Sequence, residues 1–217
     1  MKTLKNFGLA AALTMGSTIS AQAGLIDFTD PSAYSIGGAS GSGTSDGGID
    51  FSLSAVGGSF NNSEAGPGPV GPLLGAVDGL GIGDDEITNG DQSVTVSFDE
   101  TVTISSLFFL DLFGELFVDG TSDEGVTVTT LEGDTSDFMA QTLNQDGTVG
   151  FGAFTGLGLT STSFTFAPMP SNDAFGAPDF ALAGITVAPI PLPAGILLLG
   201  GALAGLGFAR RAKKASV

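Results

Sequence analysis

Residues 93–98 read SVTVSF, with Val94, Val96 and Phe98 on one side and Ser93, Thr95 and Ser97 on the other. This period-two alternation is that of a strand with one buried and one solvated face. Comparable patterns recur at 49–56, 101–110, 125–131, 148–154, 160–166 and 180–187, with a weaker one at 25–28. Turn dipeptides punctuate them, namely Asp46-Gly47, Asp78-Gly79, Asn89-Gly90, Asp119-Gly120 and Asp146-Gly147. About eight strands at this spacing, without an amphipathic helical pattern between them, predict an all-β, antiparallel β-sandwich of jelly-roll-like type. Two stretches, 37–48 and 57–75, are rich in Gly, Ser or Pro and poor in core residues, and are expected to be long surface loops.

Charge divides the chain sharply. Lys2, Lys5, Arg210, Arg211, Lys213 and Lys214 are its six basic residues, against 23 acidic ones, for a net charge of 6 − 23 = −17. Every residue from 6 to 209 is therefore neutral or acidic, and no internal salt bridge can form there. Cys and His are both absent, which removes disulfides, thiol nucleophiles, zinc hydrolysis and Ser-His-Asp catalysis. So negative a chain is unsuited to nucleic acid or an anionic lipid surface.

The two ends read as targeting segments. Lys2 and Lys5 precede a short apolar stretch and then Ala21-Gln22-Ala23, the pattern of a secretory signal peptide over 1–23 cut between Ala23 and Gly24. At the other end, residues 194–209 carry no charge and precede Arg210, Arg211, Lys213 and Lys214. A helix of sixteen residues spans roughly 24 Å, a marginal length for a ~30 Å hydrocarbon core. The basic cluster over 210–217 places that end in the cytoplasm by the positive-inside rule, with the acidic domain of 24–187 outside.

The tail of 188–217 resembles the PEP-CTERM class of bacterial sorting signals, because a Pro-rich motif, a short Gly/Leu helix and a basic cluster follow in that order. Ile190-Pro191-Leu192-Pro193-Ala194 is similar to the VPLPA variant of that motif, with Ile in the leading position. The resemblance implies a chain handled by signal peptidase and inserted briefly in the inner membrane. It further implies processing by an exosortase for delivery to the cell surface or extracellular matrix, in association with exopolysaccharide.

One interior segment concentrates possible ligand chemistry. Residues 78–91, DGLGIGDDEITNGD, hold Asp78, Asp84, Asp85, Glu86 and Asp91 among glycines. Hard oxygen donors on a pliant loop suit Ca²⁺, which takes six to eight oxygens. Asp179 or Asp173 can join from the far end of the domain if first and last strands meet; the alternative is that all of these are solvated turn carboxylates. For catalysis, Asp111 and Glu115 among Phe108, Phe109, Phe113 and Phe117 are the candidate pair for glycoside hydrolysis. Trp is absent, Tyr34 is the single Tyr, and the interior offers no Arg, Lys or His to stabilise an oxyanion. The expectation is a noncatalytic surface or matrix protein, with a calcium-dependent carbohydrate-binding module as the alternative.

Overall fold

The computed structural model describes residues 22–88, 91–114, 124–143, 149–169 and 178–190. These residues form strands and loops with no helix, and hence none long and apolar enough to cross a membrane. The signal-peptide stretch up to Ala21, the apolar segment 194–209, the motif from Pro191 onward and the basic tail lie outside the described residues. Ala23 directly precedes the first strand, which opens at Gly24. Ile190 follows the last strand and is exposed.

In chain order the strands are β1 (Gly24–Asp27), β2 (Tyr34–Gly37), β3 (Ser40–Thr44), β4 (Asp50–Val56), β5 (Phe60–Asn61), β6 (Gly81–Ile82) and β7 (Ser93–Leu110). After these come β8 (Phe113–Gly114), β9 (Gly125–Thr130), β10 (Thr135–Met139), β11 (Thr142–Leu143), β12 (Gly152–Pro168) and β13 (Ala181–Pro189). Pairing is antiparallel except between β8 and β11. The result is an all-β, sandwich-like fold.

Two long strands organise it. Both β7 and β12 merge two segments that the alternation pattern separates, because each runs on through a bulge. Ser97 pairs Ser163, but the next β7 partner of β12 is Val102, opposite Ser161. A second register shift separates the Ser106–Thr155 and Ile104–Leu159 pairs. Bulges bend a strand and increase its twist, which lets the two halves of one strand take different partners within the same sheet. The first half of β7 pairs β4, in the order β2-β3-β4-β7-β12-β9-β10; its second half pairs β13, which in turn pairs β1.

The core fills the space between these layers. Phe28, Phe109, Phe164, Phe166 and Phe180 are fully buried, and Phe109 meets Phe154, Phe166 and Phe180 edge-on. A smaller cluster of Leu73, Phe108, Leu110, Ala181 and Ala183 lies on the opposite side of β7 and β13. Leu73 and Phe60 therefore make the 57–75 stretch a covering segment with core residues of its own, contrary to the composition reading.

The 37–48 stretch also departs from expectation, since half of it is strand. β3 carries Gly41 and Gly43 at its inward positions, where large neighbours already occupy the space. A Cβ at Gly43 would stand 2.6 Å from Cζ of Phe51, and one at Gly41 would stand 2.9 Å from Cγ2 of Ile36. Small residues here answer to packing by β2 and β4, a signal that reads locally as a loop. Tyr34 is structural as well: its hydroxyl donates to the Phe28 carbonyl at 2.9 Å and accepts from Nδ2 of Asn62 at 3.0 Å.

Candidate functional site: a carboxylate cluster at one end of the fold

Residues 74–87 are tied to the domain at both ends. Asp27 and Thr29 hold the near end: Leu74 N–H donates to Asp27 Oδ2 at 2.8 Å, and Gly75 N–H to Thr29 Oγ1 at 2.7 Å. The backbone then runs beside the approach to β13, with Leu80 and Leu182 exchanging N–H···O bonds of 3.0 and 3.2 Å. Ile87 and Phe180 exchange a second pair, at 2.8 and 3.3 Å. Between them Ile82 N–H donates to Glu86 O, closing a turn that carries Asp84 and Asp85. That turn packs so tightly on Gly81 that a Cβ there would fall 2.2 Å from the Asp85 carbonyl carbon. This pairing is what sets Glu86 beside Asp179.

Two further carboxylates arrive from other segments. Asp111 follows β7 and is the one non-glycine residue with positive φ among those described, at 52°, a conformation Asp tolerates better than most residues. Its N–H donates to Val149 O, and Leu112 N–H to Gly150 O. Glu124 precedes β9 and is clamped reciprocally to Phe113. The Phe113 N–H donates to Glu124 Oε2 at 2.6 Å, while the Glu124 N–H donates to Phe113 O.

The five carboxyl groups fall into a pair and a trio, which act on each other through charge. Asp78 is hydrogen-bonded to Asp111, and Asp179 to both Glu86 and Glu124. A hydrogen bond between two carboxyl groups requires a proton on one of them. The electrostatics agree with this. Burial, reinforced by the Asp78 hydrogen bond and the charges of Asp78, Glu86 and Asp85, pushes Asp111 up to about 8. Burial and the charge of Asp179 push Glu86 up to about 8. Glu124 rises to about 8 for the same reasons, burial first, although the Phe113 N–H opposes the rise. Asp78 and Asp179 are also raised, chiefly by burial, against the lowering effect of their hydrogen bonds. No cation relieves any of them, because none exists between residues 6 and 209.

Such a cluster has two ways to be stable near neutrality: it keeps its protons or it takes up a cation. Its donor set is all oxygen, suited to a hard divalent ion. Asp111 Oδ2 is buried with no hydrogen-bond partner, an acceptor position left open inside the cluster. The carboxyl groups are paired with one another, and among the described residues no three acidic side chains surround a common point as metal ligands do.

Of the residues singled out from the sequence, Glu86 and Asp179 come together and Asp78 meets Asp111, with Asp84 and Asp85 close enough for their charges to act on this end of the fold. Asp91 is exposed, with its carbonyl against Gly57. Asp173 and Glu115 lie outside the described residues. Asp111, first considered as a catalytic acid, belongs to this cluster. Glu124 was not singled out, and nothing near it in sequence marks it; only the pairing of β9 with β12 and its clamp to Phe113 bring it in. No family model, no curated protein and no solved structure matches this chain.

Proposed function

We propose that this is a noncatalytic, secreted β-sandwich protein of the cell surface or extracellular matrix, whose carboxylate cluster binds Ca²⁺ as a structural ion. The observation that carries the cation is the convergence of Asp78, Glu86, Asp111, Glu124 and Asp179 from four separate segments with no basic side chain near them. These five are the candidate ligands; because they are paired with one another and no three surround a common point, taking up one ion requires the paired carboxyl groups to part and turn toward it. When bound, the ion supplies the positive charge that lets the carboxyl groups lose their shared protons at neutral pH. It thereby ties the 78–86 turn to the ends of β7 and the starts of β9 and β13.

Hydrolysis is not part of this reading: Asp111 is engaged by Asp78, and Glu115, its partner in the candidate pair, lies outside the described residues.

Secretion and sorting rest on the two ends of the sequence. Signal peptidase acts after Ala23, the 194–209 segment halts in the inner membrane, and an exosortase releases the domain to the outside. The jelly-roll-like reading belongs here too: β1 lies against β13, so the first and last strands meet near the cation site.

The test of the cation is a thermal melt of the full-length chain at pH 7.5 in millimolar Ca²⁺ and in EGTA. A higher melting temperature in calcium is expected, and identical curves would remove the metal. The test of sorting is intact mass and fractionation in a host with and without exosortase. A species beginning at Gly24 and lacking the tail, released only with the protease, is expected. A full tail retained in either host would overturn it.

A further inference from the structure

The outer face of the large sheet carries a regular array of hydroxyl groups. Strand register aligns Ser35, Ser42, Ser52, Ser97 and Ser163 in one row across β2, β3, β4, β7 and β12. Two residues further along the strands, Ser40, Ser54, Thr95, Thr165, Thr129 and Thr135 form a second row across β3, β4, β7, β12, β9 and β10. The rows lie about 7 Å apart and neighbouring strands about 4.8 Å apart. Every residue in them is exposed or half-buried. The hydroxyls of Thr95 and Thr165 bond at 2.9 Å, and those of Ser97 and Ser163 at 3.0 Å. Each such pair still offers one O–H and several lone pairs outward.

In a chain with 23 acidic residues, this array contains none. Carboxylates stand at its margins, where Asp50 and Asp99, beside Phe51, Ser52 and Ser97, line a shallow cleft of about 120 Å³. The pattern excludes several partners. Without a basic residue it cannot hold an anion, and its exposed large apolar side chains, Val56 and Met139, stand only at its margins, so it offers little hydrophobic drive for a protein partner. Twist of about 20° per strand makes the face a saddle, unsuited to a flat crystalline lattice. What it matches is a flexible chain with many neutral hydroxyl groups, followed by paired carboxylates that accept from adjacent sugar hydroxyls. Short Ser and Thr side chains lose little rotamer freedom when such a chain lies on them.

We infer that this Ser/Thr face, with the Asp50–Asp99 cleft at its edge, is the docking surface for a neutral polysaccharide. The inference rests on the surface-protein reading but uses a face distinct from the carboxylate cluster, so docking is independent of calcium. Single hydrogen bonds are weak, and retention comes from many along one polymer.

The test is native affinity electrophoresis of the full-length chain in a polyoxyethylene detergent. Gels contain hydroxyethylcellulose, dextran, galactomannan or the anionic polymer alginate, with Ca²⁺ or EGTA. Retardation by at least one neutral polymer and not by alginate is expected, unchanged by EGTA. Thr95→Val with Thr165→Val keeps shape and strand propensity while removing the central pair, and should weaken retardation about tenfold. Thr186→Val on β13 should leave it unchanged. Should the double variant melt below the parent, Ser52→Ala with Ser97→Ala at the cleft gives the same readout. No retardation by any neutral polymer, equal retardation by alginate, or full retention by both double variants would overturn the inference. Concentration-dependent self-association abolished by the same substitutions, without polymer binding, would overturn it too and make a second copy the occupant. If docking fails while the calcium-dependent melt persists, the cation reading stands alone.

Discussion

The end of the fold that holds Asp111 and the sheet face that holds Thr95 are built from the same strand, β7, yet they treat charge in opposite ways. At the end, five carboxyl groups are gathered, half-buried and bonded to one another in a pair and a trio. On the face, hydroxyl groups are spread over seven strands and carboxylates are kept to the margins. Both arrangements follow from a domain with no cation. Without Lys or Arg, a carboxylate on a crowded sheet repels its neighbours uncompensated, so a crowded face is best left neutral. Where carboxylates are brought together, mutual repulsion and burial hold protons on them. The acidic composition is therefore not a uniform coat: carboxyl groups are gathered and half-buried at one end of the fold and kept off the crowded sheet face.

The largest effect is expected from Phe109→Ala, since that ring is fully buried among three others on the strand both regions share. Loss of about 3–5 kcal/mol is expected, enough to lower the melting temperature by 10 °C or more. Calorimetry should show cluster and face failing in one transition, and two separated transitions would show that they are independent.

Next in size is the pH dependence without calcium. The native acids Glu86, Asp111 and Glu124 have values raised to about 8, above their ordinary carboxylate range, so the folded state binds more protons than the unfolded one. Stability is then fully present below the unfolded values and falls as pH rises through about 8. In EGTA the melting temperature should decline steadily from about pH 5 to pH 8, and millimolar Ca²⁺ should flatten the decline. A melting temperature that rises over this range would refute the proton-sharing arrangement.

Asp111→Asn should give a smaller, two-sided effect. Asn accepts the positive φ at this position and removes one repelling charge. In EGTA at pH 8 the variant should melt a few degrees above the parent, whereas in calcium it should melt no higher, because one ligand oxygen is gone. A variant that keeps the full calcium increment would take Asp111 out of the site. The smallest effect belongs to the face. Thr95→Val with Thr165→Val should change stability by less than about 1 kcal/mol and leave the calcium increment intact. A large calcium-dependent loss there would mean the two regions are coupled through β7.

Much of the strand framework was legible because alternation is a local signal. The SVTVSF pattern, the Phe164 and Phe166 pair and the segment leading into β13 each declare an inner and an outer side without reference to anything distant. The hydroxyl rows were half legible, in that each strand's outward Ser and Thr residues stand in the sequence, but their alignment depends on register between strands far apart along the chain. β3 escaped because its inward positions, Gly41 and Gly43, are small to admit Ile36 and Phe51 rather than to make a turn, and β2, with Tyr34 and Ile36 inward, is only four residues long. The continuity of β7 and β12 escaped because a bulge interrupts the period that reveals a strand.

For the site, the run of acids at 78–86 and the absence of any balancing cation belong to the sequence alone, since composition and local spacing contain them. That Asp111 and Glu124 join Asp78, Glu86 and Asp179, while Asp91 stands out in solvent, was decided by tertiary structure. Convergence of this kind is made by long-range backbone pairing, Leu80 with Leu182 and Ile87 with Phe180, and by the bend that lets one strand reach from the neutral face to the acidic end. Local spacing carries no record of either.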